Sequence, residues 1–181
     1  EADDCIYTLA DQAEFGGNRF DDVVIWTCDH DLLQCVTSVV SVLMFSSAKK
    51  QTLMGVKEVL ESWNCTPKQI ALVKALSGDA SDNIKGVKGI GKKTAVKILQ
   101  DAGWALNKVA EHKKIKDHIK QVQENLGLVQ LRRVEDLDCI DLEDFALGRG
   151  LKADYVEWLE KYEFTQLLKR ADKTSKELSM V

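Results

Sequence analysis

Gly78–Leu99, GDASDNIKGVKGIGKKTAVKIL, constrains the architecture more than any other segment of the chain. Two acids, Asp79 and Asp82, stand just ahead of a glycine-punctuated turn. Five lysines (Lys85, Lys88, Lys92, Lys93 and Lys97) follow with no acid among them. Helical hydrophobic spacing then begins at Ala95, Val96, Ile98 and Leu99. In Val87-Lys88-Gly89-Ile90-Gly91 the apolar residues can anchor a turn inward while the glycines let another molecule approach the main chain. A helix opening near Lys92 adds unpaired N–H donors and a positive dipole end, a combination that binds phosphate.

Two readings of that turn compete. Gly86-x-x-x-x-Gly91-Lys92 nearly spells a nucleotide-binding P-loop, but Lys93 stands where a Ser or Thr would hold Mg²⁺. A P-loop also follows a strand, whereas Ile70–Leu76 has helical spacing. The stretch is better read as a helix–hairpin–helix, residues 78–101, that grips a nucleic-acid backbone without reading bases. Gly86, Lys88, Gly89, Gly91, Lys92, Lys93 and Thr94 are its candidate DNA-binding residues.

The 181 residues suffice for a real core, and 45% hydrophobic with 30% charged residues describe a soluble globular chain. No apolar run is long enough to span a membrane and no signal peptide is visible. Five cysteines without a C-x-x-C pair suit buried thiols in a reducing, cytoplasmic setting better than disulfides or zinc. The net charge of −4 is weakly unfavourable for a nucleic-acid binder, but acids and bases are segregated along the chain. The opening at Glu1, inside a helical pattern and without Met, reads as a piece whose beginning lies elsewhere.

Working outward, Ile6, Leu9, Ala10 and Ala13 form a helical stripe behind Glu1, Asp3 and Asp4, acids that equally suit a helix N-terminus. Val23–Thr27 reads as a strand, with Asp29 and Asp31 at its carboxyl end, where α/β sheets collect ligands; helix capping is the bland alternative. Val39–Phe45 reads as a second strand, Ser46–Gln51 as a polar turn, and Val56, Val59, Leu60 and Trp63 as one face of a helix. Thr66-Pro67-Lys68-Gln69 carries helix-start signals. Cys28 and Cys65 read as core. Beyond Leu99 the pattern is mostly helical, over Trp104–Ala110, Ile115–Leu128, Ala153–Lys161 and Tyr162–Leu168. Leu131–Arg133 and the acidic Glu135–Asp144 segment read as connection and surface. The aromatic stripe Tyr155, Trp158 and Phe164 reads as core, and Lys169–Val181 as a frayed tail.

Seven carboxylates thus fall in three groups, Glu1/Asp3/Asp4, Asp29/Asp31 and Asp79/Asp82, with no lysine or arginine inside any group. If the fold gathers them, their mutual repulsion calls for cations. With no histidine or cysteine cluster beside them, hard Mg²⁺ or Mn²⁺ is the natural choice. Two such ions about 3.5–4 Å apart can activate a water and stabilise the leaving oxygen of a phosphodiester.

Glu1-Ala2-Asp3-Asp4, then Asp29-x-Asp31-Leu32-x-Gln34, then Gly78-Asp79-x-Ser81-Asp82-Asn83-x-x-Gly86-Val87-x-Gly89-Ile90-Gly91-x-x-Thr94-Ala95 closely resembles the 5′-nuclease family of flap endonucleases and 5′→3′ exonucleases. The resemblance implies that all seven acids are catalytic, metal-site residues. It implies that the hairpin Gly86–Gly91 holds the duplex backbone, with K⁺ on its carbonyls. The implied fold is α/β: a parallel-sheet, PIN-like nuclease core, incomplete at its N-terminus, over residues 1–52. A mostly helical extension over 53–181 follows. The family's first strand, with a further metal-site Asp, and its basic helical arch would precede Glu1. The implied activity is Mg²⁺-dependent cutting of DNA bearing a 5′ single-stranded arm or flap, by a monomer of phage or bacterial type, in replication or repair. The rival readings are a non-catalytic helix–hairpin–helix DNA-binding module and an NTPase.

Overall fold

Val23–Thr27 forms β1, burying Ile25 while Val24 and Trp26 point outward, the alternation that a pleated strand imposes. It pairs in parallel with β2 (Val40–Ser47), from Val23 opposite Val40 to Thr27 opposite Met44. In this computed structural model the described residues are 1–16, 20–47, 50–137, 142 and 153–178. They include two compact units, Glu1–Ile140 and Asp141–Val181.

The sheet in the first unit is mixed. Lys50–Met54 forms β3, antiparallel to β2, with Val42 opposite Met54 and Met44 opposite Thr52. Sequence had suggested a polar turn over Ser46–Gln51. Gln51, Thr52 and Leu53 are exposed, so β3 carries no alternating apolar signal and owes its strand form to the ladder with β2. The parallel β1–β2 pair is as the family resemblance implied.

α1 (Ala2–Phe15) packs Ala10 and Ala13 inward. The chain leaves β1 through a short 3₁₀ turn, Asp31–Cys35, whose Leu32 and Leu33 are sealed in the core. α2 (Val56–Trp63) opens with the Glu58 carboxylate accepting the Gly55 N–H at 3.0 Å. Gln69 accepts the Thr66 N–H in the same way at 2.9 Å, ahead of α3 (Ile70–Ser77). α3 is buried almost all round: Ile70, Val73, Ala75 and Leu76 have no exposed area.

α3 leads into a two-stranded hairpin, β4 (Gly78–Asp79) with β5 (Ile84–Lys85), then a tight turn, then α4 (Lys92–Asp101). This is the helix–hairpin–helix at the expected place, with Val87 and Ile90 anchored in the core. α5 (Leu106–Val109) is shorter than the sequence suggested, and α6 (Ile119–Val129) packs along α3. In the second unit, α7 (Ala153–Lys161) and α8 (Thr165–Leu178) form a helical pair, so the chain expected to fray after Lys169 is helical to Leu178. Most of the acidic Glu135–Asp144 segment lies outside the described residues.

Two burial expectations are overturned. Cys28 is exposed, whereas Cys35 and Cys65 are buried, with thiols pushed up to about 12 and about 11 by burial; Cys139 lies outside the described residues. The stripe Tyr155, Trp158 and Phe164 is exposed at 42–48%, with Trp158 stacked on Phe164; within α7, Leu159 takes the buried position. Helical spacing marks one apolar face but does not say whether anything covers it. No helix among the described residues is long and apolar enough to cross a membrane.

Candidate metal centre and nucleic-acid interface

Gly78 and Gly86 set the position of Asp79. Gly78 has φ +77°, and a Cβ there would meet the Gly86 nitrogen at 2.3 Å; a Cβ on Gly86 would meet the Ser77 carbonyl at 2.2 Å. Only two glycines let these backbones pass so closely. The crossing is fixed from the side by α6. Asn125, itself buried, donates to the carbonyls of Ala75 (3.0 Å) and Lys85 (2.9 Å), and Gln121 donates to Lys85 and Gly86.

Asp79 thereby faces Asp31. Oxygens of Asp31, Asp79 and Asp82 lie within 4.8 Å of one another, which brings the second and third sequence groups together. Asp29 orients this turn: its Oδ1 accepts the Asp31 N–H at 2.8 Å, and its own N–H donates to Thr27 Oγ1. The bond is a local Asx-type turn, while the N-cap of the 3₁₀ turn is His30, without a side-chain cap.

The first group joins electrostatically. Asp3 is raised above its ordinary 3.8 by burial and by the charges of Asp29, Glu1, Asp4 and Asp82. Asp4 has a structural duty as well, since its Oδ1 accepts the Arg132 N–H at 2.8 Å and ties α1 to the segment after α6. Glu1 is exposed at the start of α1.

Sequence reasoning missed Lys74. It lies in α3, 4% exposed, and its Nζ bridges Asp31 and Asp79. Burial pulls its pKa down, but hydrogen bonds to both carboxylates and their charges outweigh that and hold it above the usual lysine range. Asp79 is likewise pushed up by burial, yet donors from Lys74 and Ser81 hold it down at about 2. Burial lifts Asp31 above 3.8 despite Lys74, with the charges of Asp29 and Asp79 adding to the rise. Burial is the first cause of the rise at both Asp31 and Asp3, and the neighbouring carboxylates add to it. The cluster's donors are all carboxylate oxygens, the set that hard divalent cations prefer. A lysine in the helix Ile70–Ser77 was the one available signal; a base among apolar residues at helical spacing needs a buried partner.

The hairpin lysines divide. Lys85, Lys88, Lys93 and Lys97 are exposed with Gly89, Gly91 and Thr94, while Gly86 is partly buried. Lys92 turns back instead, its Nζ 3.4 Å from the centre of the Trp63 ring and 3.3 Å from the Ser62 carbonyl, where burial lowers its pKa. Of the seven residues named for the hairpin, Lys92 is thus engaged with α2.

Residues 1–64 match a family model described as 5′-3′ exonuclease, N-terminal resolvase-like domain, and residues 65–149 match 5′-3′ exonuclease, C-terminal SAM fold. DNA polymerase I of Rhizobium leguminosarum is 35% identical over 179 residues, covering 94% of this chain and 17% of that protein. The 5′-3′ exonuclease of Bacillus subtilis (strain 168) is 44% identical over 102 residues, 56% of this chain and 33% of that protein. The chain therefore spans a third or less of these curated relatives. Among solved structures, one of divalent metal ions (zinc) bound to the T5 5′-exonuclease is similar with a TM-score of 0.61. Its identity is 26%, over 71% of this chain and 49% of that one. A bacteriophage T5 flap endonuclease in a pseudo-enzyme-product complex with DNA and metal ions matches to the same extent.

Proposed function

Because this chain belongs to the 5′-3′ exonuclease family, we propose that it is a divalent-metal-dependent 5′ nuclease that hydrolyses phosphodiesters where a single-stranded 5′ arm meets duplex DNA. The observation that carries this reading is the meeting of Asp31, Asp79 and Asp82, from distant parts of the chain, at the foot of a lysine-bearing hairpin.

In this reading Asp31, Asp79 and Asp82, with Asp29, Asp3, Asp4 and Glu1 around them, hold Mg²⁺ or Mn²⁺. Two ions, when bound, would supply Lewis-acid activation of a water and charge stabilisation at the departing oxygen. The chain's own residues do the rest. Lys74 and Ser81 hold Asp79 in one orientation, and Asp29 holds the backbone of Asp31. Lys88, Lys93 and Lys97, beside Thr94 and the first N–H groups of α4, take the duplex phosphates, with Gly86, Gly89 and Gly91 shaping the turn. The carbonyls of the hairpin Gly86–Gly91 would hold a K⁺ ion. The sheet-bearing part, residues 1–52, brings acids to the site; the helical part, 53–181, brings the hairpin and the last two acids.

A forked duplex with a labelled 5′ arm, mixed with the chain in Mg²⁺ and in EDTA, tests the reading. Cutting near the junction in Mg²⁺ and not in EDTA is expected. Asp82→Asn should lower cutting far more than binding. Salt-sensitive binding without any cutting would favour the non-catalytic module, and absence of both would refute the assignment.

A further inference from the structure

Two lysines stand side by side at the head of α4, and they point to different partners. Lys93 stays exposed, while Lys92 folds back, its Nζ 3.4 Å from the centre of the Trp63 ring and 3.3 Å from the Ser62 carbonyl, at the C-terminal end of α2. Electrostatics favour that retreat. At the head of α4 an ammonium meets the positive end of a helix dipole; at the end of α2 it meets the negative end, and α2 has no basic residue in its own last turn. Gln100, in the last turn of α4, adds a second tie by donating to the Asn64 carbonyl at 3.4 Å. Ser62, Trp63 and Lys92 line, with Lys74 and Asp79, one cavity of about 560 Å³, so this joint lies beside the acid cluster.

We propose that Lys92 takes no phosphate of the duplex and is instead, with Trp63, the joint that sets the position of α4 relative to the acid cluster. The proposal rests on the nuclease reading and names two positioning residues within it. α2 follows β3 with Gly55 alone between them, and the ladders of β3 with β2 and of β2 with β1 run to the strand whose end carries Asp29 and Asp31. α4 carries Lys93 and Lys97, the exposed lysines that face duplex phosphates in that reading. A contact between the end of α2 and the head of α4 therefore links the sheet that brings acids to the helix that brings DNA. Asn125 and Gln121 of α6 hold the hairpin on its other side, at Lys85 and Gly86. The turn is thus fixed both before and after Gly86–Gly91. A phosphate on Lys92 would have to strip the ammonium from the ring and the carbonyl together; one on Lys93 displaces nothing. Lys92 and Trp63 accordingly govern how fast and where the strand is cut, and leave unchanged the number of phosphates held.

The test separates holding from cutting. Binding of the forked duplex across a salt series in Ca²⁺, and its cutting in Mg²⁺, are measured for the wild type, Lys92→Met, Lys92→Arg, Trp63→Leu and the pair Lys92→Met with Trp63→Leu. Lys93→Ala is the reference for a lost phosphate and should lower the salt slope by about 0.9, whereas Lys92→Met should keep the wild-type slope. Cutting at saturating DNA should fall about 10- to 100-fold in Lys92→Met, because a misplacement of about 1 Å can cost as much, and the cuts should spread over neighbouring positions. Trp63→Leu should show the same loss and the double variant no further loss. Lys92→Arg, which can keep both the ring and the carbonyl contact, should restore most of the rate. A slope lowered by about 0.9 in Lys92→Met, wild-type cutting by that protein, or losses that add in the double variant overturn the joint and leave the nuclease reading intact. Lys92 is only partly buried, so Lys92→Met should fold, and its contrast with Lys92→Arg decides the matter even if Trp63→Leu does not fold. A wild type that does not bind the duplex, or binds and does not cut it, overturns both.

Discussion

Replacing Lys74 by Met removes one buried ammonium and keeps most of the side-chain length. In the native chain that ammonium bridges Asp31 and Asp79, and Asp82 lies within 4.8 Å of both. Without it, three carboxylates face one another with no cation between them. Removing one partner of a buried ion pair costs about 3–5 kcal/mol. Asp82 is exposed, and Asp31 is already raised and can take up a proton, so the lower end of that range applies. At about 2–4 °C per kcal/mol for a chain of this length, the melting temperature in EDTA should fall by roughly 6–12 °C. Divalent cations should reverse the loss, because an ion can occupy the place of the ammonium and binds only the folded cluster. The assay is a pair of thermal melts in EDTA and in Mg²⁺, on the wild type, Lys74→Met and Lys74→Arg. Mg²⁺ should raise the Lys74→Met midpoint more than that of the wild type. Equal EDTA midpoints for Lys74→Met and wild type, or no added rescue by Mg²⁺, would refute the counter-ion argument.

Gly86→Ala should cost about 1–3 kcal/mol or more, because its Cβ would fall 2.2 Å from the Ser77 carbonyl; a urea midpoint measures it, and the displaced Asp79 should lower Mg²⁺-dependent cutting as well. In EDTA, acid stability should carry two opposing signs. Asp79, held at about 2, contributes stability that is present above its ordinary 3.8 and lost as pH falls from there toward 2. Asp31 and Asp3 are raised, so their ionisation costs stability at neutral pH, and that cost is relieved as they protonate above 3.8. Melts as a function of pH should therefore show the steep acid loss diminished in Asp79→Asn; an unchanged acid limb would count against the Lys74 and Ser81 contacts. Lys93→Ala with Lys97→Ala should weaken duplex binding about equally for all sequences and lower the salt slope by about 0.9 per lost contact, read by anisotropy across a salt series.

Much of the candidate site was visible before any fold. The hairpin was legible because its physics is local: glycines at the turn, lysines around it and a helix opening at Lys92 all act within one short stretch. The same holds for β1 and for the start of α3, where Thr66, Pro67 and Gln69 carry their own signals. Asp79 and Asp82 belong with the hairpin by adjacency, and Asp29 and Asp31 with a strand end.

Where the sequence misled, the deciding contact lay far along the chain. β3 is a strand because β2 pairs with it. Cys28 is exposed and Cys65 buried though each is a single thiol between two polar chain neighbours. The α7–α8 aromatics are at the surface because burial depends on what covers a face, and periodicity reports only that a face exists.

The residue types alone set the available chemistry: oxygen ligands without a histidine or cysteine cluster, and a basic turn able to hold phosphate. The sequence could not bring Asp31 to Asp79, because carboxylates repel and nothing local draws them together. Tertiary structure decides that, by burying most of α3 and carrying Lys74 between them, and by letting Gly78 and Gly86 cross where no Cβ fits. The site is assembled by long-range packing around a buried charge, and packing is what a linear pattern does not record.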